Sequence, residues 1–420
     1  MNGGLLARED QLFFGLDLVS GTVFQTDLSG RVLRMIEFGS PSEASGVGGL
    51  TLDDRGFLYV ADPVGQKLRV FDPEGVKSRV IGEERQLHLA RGLQLVERDG
   101  VLEDPNDVAV DAEGNVYVAC GEQFIVHGLQ KFSAQGLHTL SFSSMGEPGG
   151  TFGGPRGLTL DPDGTLWLCD TQFHRLQRFE PGGRFLDVLG PPRNEPLVSP
   201  YAVTMLPDGD LLVAQSLGLI VLGRDDARRR PFTNRRLARV CDVCCCAGTV
   251  WILEREIGNF GIRVSRFDVE GNLLGVVVSG MRDLVGKAST WLKAEMGRSL
   301  PPSQAWHRLG VLYHYVLPET FSNLKHAERC YRKSLQAEPV GFEVSLDLAE
   351  VLTRRGRPEE AMRLHRECLE IRPEDESIRL RLALLLCQKG DKKQACQLLL
   401  DGLELSPESE LLRSELDRLT

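Results

Sequence analysis

The sequence predicts a multidomain protein, an all-β six-bladed propeller followed by an all-α solenoid of antiparallel helix pairs. Three observations predict it. A unit of four short apolar runs recurs through the first two-thirds of the 420-residue chain, one copy of that unit lies on another without a gap, and from about residue 303 the period changes to 34 residues with helical spacing.

The unit is clearest between Pro155 and Gly190. Its apolar runs, Gly157 to Leu160, Leu166 to Cys169, Leu176 to Phe179 and Phe185 to Leu189, are separated by Asp-Gly, Gln-Phe-His and Pro-Gly-Gly. These are turn chemistries, so the reading is four antiparallel strands. Leu5 to Gly30 lies on Leu50 to Gly75 at constant offset, which sets Phe14 on Tyr59, Asp17 on Asp62 and Asp27 on Asp72. Further copies begin near Pro105, Pro200 and Val240, and Gly56, Gly114, Gly164, Gly209 and Gly248 open the second strands. Six such sheets close into a ring in which each buries both faces against its neighbours around a channel. The copies differ where the second strand ends: Asp62 and Asp170 become Cys120, Gln215 and Glu254. In the fifth copy the expected strand pair dissolves after Leu222 into RDDARRRPFTNRRLARV.

After Gly280 the alternation stops. Asp283 to Met296 carries apolar residues at helical spacing and Arg298 to Pro302 breaks it, which predicts a linker helix within 281–302. Leu348, Ala349, Leu352, Gly356, Ala361, Cys368 and Pro373 are then matched 34 residues later by Leu382, Ala383, Leu386, Gly390, Ala395, Gly402 and Pro407. An earlier copy runs from Trp306, Leu309, Gly310 and Tyr313 to Pro339, with five extra residues around Pro318. Three helix pairs expose an apolar edge at the end, and Glu408 to Leu419 is suited to cover it.

Two families carry these patterns. The runs DTQFHRLQRF, Asp170 to Phe179, and DPVGQKLRVF, Asp62 to Phe71, resemble the NHL repeat over residues 3–280. The 34-residue registration resembles the tetratricopeptide repeat over residues 303–420. Both repeats are most often interaction modules, so the resemblance implies a non-enzymatic adaptor or scaffold with protein or peptide partners and no cofactor.

Composition sets outer bounds. With 42% apolar and 26% charged residues the chain is of ordinary globular type, and a net charge of −10 gives no global attraction for nucleic acid or anionic membrane. The N-terminus lacks a signal-peptide pattern, no apolar run is long enough to span a bilayer, and the ten cysteines fall inside strands and helices. The expectation is a cytoplasmic protein with reduced thiols.

Within the propeller, the residues that open the inner strands should face the channel: Gly49, Asn106, Arg156, Tyr201, and Cys241 or Asp242. Six-bladed relatives include an amidating lyase and gluconolactonase-like lactonases that hold metal there. Asn106 resembles a calcium-contacting Asn of the lactonases, but Asn106 and Asp242 are too few oxygens for calcium. The lyase's zinc histidines have only His127 and His174 in equivalent loops, both read as solvated or turn-stabilising, so no metal is expected. The CDVCCC run, Cys241 to Cys246, reads as an inner strand rather than a zinc site. The glycine-rich loop Gly146 to Pro155 reads as an interblade turn, since a strand and not a helix follows it.

Two surfaces remain. The arginines Arg228, Arg229, Arg230, Arg235 and Arg236, with Arg224 and Arg239, crowd blade five, and some NHL propellers bind single-stranded RNA on a basic face. Here only Phe232 is interleaved where stacking needs several aromatics. In the helical half, repeat position puts His307, Val311, His314, Leu346, Glu350, Leu380 and Leu384 on the concave groove, expected as an apolar floor flanked by His307, His314 and Glu350. It lacks the Lys and Asn with which chaperone-binding relatives clamp a carboxylate tail, so an amphipathic or extended peptide is the expected ligand.

Overall fold

The computed structural model describes residues 3–16, 21–38, 46–82, 100–121, 128–142, 152–189, 196–224, 228–255, 261–317, 319–339 and 341–419. The chain divides into two compact units, Met1–Ala288 and Ser289–Thr420.

The first unit is a six-bladed β-propeller. Six antiparallel sheets of four strands, each strand paired with its sequence neighbours, span residues 5–37, 50–81, 105–141, 155–189, 202–231 and 239–278. In the fourth blade the strands are Pro155–Leu160, Leu166–Asp170, Arg175–Phe179 and Phe185–Leu189. The glycines that punctuate the sequence do so because the first turn of a blade needs a left-handed residue: Gly56, Gly114, Gly164, Gly209 and Gly248 have φ between +73° and +88°. The turn aspartates serve a second purpose. The Tyr59 and Tyr117 hydroxyls and the Trp167 indole N–H donate to Asp53, Asp111 and Asp161 at 3.5, 3.0 and 3.4 Å, which satisfies the polar end of each buried aromatic. Blade five is completed after all: Gly218–Leu222 pairs with a three-residue outer strand, Arg229–Pro231.

Apolar clusters fill the gaps between successive blades, as with Tyr59, Val70 and Ile81 against Val108 and Val118. Among the described residues no strand is exchanged between the first and last blades. The ring closes by packing and by polar contacts that include the backbone N–H of Leu5, which donates to Asp242 Oδ2 at 2.8 Å, and that of Ala7, which donates to the Cys244 sulfur. Leu158 N–H donates likewise to Asp107 Oδ2 at 2.7 Å, between blades three and four. Elsewhere the inner strands approach so closely that side chains are excluded: a Cβ on Gly157 would lie 2.6 Å from Ala202 Cα.

The variable end of the second strand also has a physical explanation. Asp62 accepts the N–H of Gly46 at 2.9 Å and of Gly65 at 2.8 Å and pairs with Arg69. Asp170 accepts that of Gly153 at 2.7 Å. Gln215 and Glu254 do the same for Val198 and Ala238, both at 2.8 Å. In each case a buried acceptor pins the segment arriving from the previous blade, and Asp, Gln and Glu all supply one. Cys120 cannot, and in that blade Gln130 on the third strand substitutes: its Oε1 accepts Gly100 N–H at 3.0 Å and its Nε2 donates to Val101 O at 2.7 Å.

The helices are α1 (Met281–Glu295), α2 (Pro302–Val311), α3 (Phe321–Ala337), α4 (Phe342–Arg354), α5 (Pro358–Ile371), α6 (Glu376–Gln388), α7 (Lys392–Leu405) and α8 (Glu410–Leu419). The division between the two units falls within α1. Helix pairs α2/α3, α4/α5 and α6/α7 carry the three repeats, and Leu412 of α8 is fully buried in their core. Small residues mark close approaches. A Cβ on Gly310 would strike the Tyr331 ring, and one on Gly402 would strike the buried Arg379, which donates to Leu398 O at 3.2 Å. Before the five extra residues around Pro318, a position outside the described residues, α2 runs on into a π-helical turn, Leu312–Val316.

Candidate functional site

In the propeller, a cavity of about 1140 Å³ opens where the inner strands begin. Gly49, Asn106, Arg156, Tyr201, Cys241 and Asp242 all line it, as their place at the start of the inner strands predicts. Sequence reasoning missed Asp107, which is also on the wall. Its signal was the matching Asp242, since both follow the first inner residue of their blades.

The amide and carboxylates of this wall are already engaged. The Asn106 amide donates to Gly121 O and Pro155 O, both at 3.1 Å. Asp107 and Asp242 each accept one interblade N–H and, at 2.8 Å, the N–H of the following residue. Burial pushes Asp107 up to about 7, against the two N–H groups that favour its anion. Burial first, and the Asp107 charge second, raise Asp242. Burial also pushes Tyr201 up to about 12 and raises the Cys241 thiol. Thus burial sets each of these shifts, and both carboxylates are held by backbone donors of their own and the adjacent blade.

His174 stabilises a turn: its Nδ1 accepts Ser199 N–H at 3.0 Å and its carbonyl accepts Leu197 N–H at 2.8 Å. His127 lies outside the described residues, as does 146–151 of the glycine-rich loop. The remainder of that loop runs into the inner strand of blade four and is pinned by Asp170. Cys241 to Cys246 falls within the inner strand Arg239–Cys246, and its thiols are free and half-exposed rather than fully buried. Among the described residues no three His, Cys, Asp or Glu side chains group as metal ligands would.

The arginine cluster divides. Arg224 pairs with Asp161 at 3.4 Å and Asp163 at 3.6 Å beside the first turn of blade four. Arg228, Arg229 and Arg230 lie at or along the outer strand, where consecutive side chains face opposite ways. Arg235, Arg236 and Arg239 stand on the cavity wall. Phe232 is buried against Phe267 with ring centroids 5.9 Å apart, so it offers no stacking face.

In the helical unit the expected apolar floor is interrupted. Val311 is buried in the helical core and His314 is 3% exposed, so neither is open groove surface. Leu346, Leu380 and Leu384 are half-buried. Between them runs a polar network that periodicity did not predict. His307 Nε2 meets Asp347 Oδ2 at 2.8 Å, and Tyr315 OH donates to Asp347 Oδ1 at 2.9 Å and Glu350 Oε2 at 3.3 Å. Arg381 reaches Glu350 at 3.3 Å, and Arg354 bridges Glu350 and Glu319. The π-helical turn places Tyr315 here, with the His314 ring packed on it at 3.9 Å. Burial pushes His314 down against the pull of Glu350 and Asp347. Deeper, burial and Arg381 push His365 down to about 4, and its Nδ1 has no partner.

Residues 352–414 match the family model of the tetratricopeptide repeat. The propeller is similar in outline to chains of several solved structures. One is from a nidogen–laminin complex, at 13% identity and TM-score 0.48, covering 64% of this chain and 95% of that one. Another is virginiamycin B lyase of Staphylococcus aureus with quinupristin, at 13% identity and TM-score 0.45, covering 65% and 82%. A third is a gluconolactonase of Xanthomonas campestris, at 20% identity and TM-score 0.42, covering 62% and 80%. None of the curated proteins matches the chain. At these identities no residue role passes to this protein, and no helix among the described residues is long and apolar enough to cross a membrane.

Proposed function

We propose that this protein is a non-enzymatic interaction scaffold, with the propeller's channel face and the groove of the tetratricopeptide helices as its two binding surfaces. The observation that carries this reading is the commitment of Asn106, Asp107 and Asp242, the ligand-type side chains of the channel wall, to backbone groups of adjacent strands. A catalytic wall keeps such groups turned to substrate; here they hold the ring together. Ten unpaired cysteines support a cytoplasmic setting.

On the helical side Leu346, Leu380 and Leu384 offer apolar contact beside the charges of Glu350 and Arg381, which suits an amphipathic peptide. Cross-linking of the full chain in its own cells tests this. Leu346→Glu with Leu384→Glu should remove the partners cross-linked to α4 and α6 while far-ultraviolet dichroism stays unchanged. The same partners captured at equal yield would overturn the groove assignment. Stoichiometric calcium or zinc, lost together with lactone or amidated-glycine cleavage on changing Asn106 or His174, would replace the scaffold reading by the metal-dependent lyase or lactonase one.

A further inference from the structure

Four guanidinium groups, Arg156, Arg235, Arg236 and Arg239, stand on the wall of the propeller cavity in a chain whose net charge is −10. Three of them belong to residues 233–239, the segment that leads from the outer strand of blade five to the inner strand of blade six, and all three are exposed. Among the described residues Arg235 and Arg236 have no ion pair and no side-chain hydrogen bond. The two carboxylates on the wall, Asp107 and Asp242, form no ion pair with them and direct their oxygens to backbone N–H groups. Like charges gathered around one concavity repel, and the ring's closure does not require them. A bound anion would relieve that repulsion, and the guanidinium fork is shaped for carboxylates and phosphates.

Two further features narrow the ligand. Leu217, at the tip of the turn between the second and third strands of blade five, lines the same cavity and is 78% exposed. An apolar side chain this open beside three arginines suits a ligand that is acidic and partly apolar. The cavity, at about 1140 Å³, lies at the upper end of the ~300–1,000 Å³ range of ligand pockets and has room for an extended segment of several residues. Tyr201 is the single aromatic among the described lining residues, where single-stranded nucleic acid needs several stacking platforms.

We propose that the channel mouth binds an acidic peptide segment, with its carboxylates on Arg235, Arg236 and Arg239 and an apolar side chain against Leu217. This rests on the scaffold reading and names the partner chemistry of its propeller surface.

The test uses the full chain and a short fluorescein-labelled peptide of glutamates around a central leucine, followed by anisotropy. Binding should weaken as salt rises and fall by about tenfold or more in the Arg235→Glu, Arg236→Glu, Arg239→Glu variant. The corresponding triple alanine variant should fall in the same direction, which guards against misfolding of the charge-reversed protein. Leu217→Asp, or a probe with serine for its leucine, should cost a smaller factor, about fivefold. Reversing Arg31, Arg184 and Arg228, which make the same charge change off the cavity wall, should leave affinity within about twofold.

No binding by the unaltered chain overturns the proposal, as does equal loss in the off-wall variant. Leucine-independent binding displaced by inorganic phosphate would make this a small-anion site, and tighter binding of a uridine oligonucleotide at the same arginines would make it a nucleic-acid surface. If the peptide fails while partners still cross-link to α4 and α6, this site falls and the scaffold reading stands.

Discussion

Both units bury polar groups, and they spend them differently. In the propeller, Asp62, Asp170, Gln215 and Glu254 each receive a backbone N–H from the segment entering their blade, and the contact recurs around the ring with the residue type changing. In the helical unit His307, Tyr315, Asp347 and Glu350 are linked through side-chain bonds, and among the described residues the arrangement occurs once. An acceptor that serves the backbone is interchangeable, as Gln130 demonstrates by replacing it from another strand. A network of side chains depends on every member's identity. Repetition therefore marks architecture, and the singular cluster marks where selection for something other than folding is to be sought.

The sharpest way to break this comparison is at the ring closure. Asp242→Leu leaves the N–H groups of Leu5 and Val243 without their acceptor and should cost about 3 kcal/mol in denaturant unfolding of the propeller. A loss below about 1 kcal/mol would mean that packing alone closes the ring.

Blade three sharpens it next. Gln130→Leu should destabilise by about 2 kcal/mol because Gly100 N–H and Val101 O both lose their partner. Cys120→Ala should cost only about 1 kcal/mol, the loss of one buried sulfur. The reverse order would show that the acceptor role had not moved.

The two units should also respond oppositely to pH. Asp107 holds its proton to about 7 in the folded propeller, whereas an unfolded carboxyl releases it near ~4. The folded state thus binds more protons between these values, and its stability falls as pH rises from about 4 to about 7. His365 is the converse. It takes its proton at about 4 when folded and near ~6.5 when unfolded, so the helical unit loses stability as pH falls from about 6.5 to about 4. Hydrogen exchange corrected for its intrinsic pH dependence should resolve opposite slopes, on the order of 1 kcal/mol across each window. Asp107→Asn and His365→Gln should each reduce their own unit's slope, to which Asp242 and His314 also contribute, and leave the other's unchanged.

The smallest effect is the coupling within the network. A double-mutant cycle on His307→Ala and Asp347→Ala should return an interaction of about 1 kcal/mol. Thr51 and Thr159, on inner strands away from such networks, should return about zero with either partner.

What was legible from residues alone was everything that a local period encodes. Five of the six blades are marked by turn glycines whose positive φ other residues adopt less freely, the first blade carrying Glu9 at φ +51° in that turn, and the helix pairs by small residues such as Gly310 where chains must nearly touch. Even the channel wall was readable, because the first inner residue of each repeat unit faces the axis. Which partner each polar side chain takes was decided only by the tertiary structure. Gln130 replacing Cys120, Leu5 reaching Asp242 across the chain, and Tyr315 swung onto Asp347 by a π-helical turn all join residues that are distant in sequence or out of register with the repeat. The arginines show the same limit in reverse: neighbours in sequence, they are carried apart by a three-residue strand, and only Arg235, Arg236 and Arg239 arrive at the cavity. Periodicity specifies where a side chain stands on its own element. The approach of the next blade or helix specifies what it meets there.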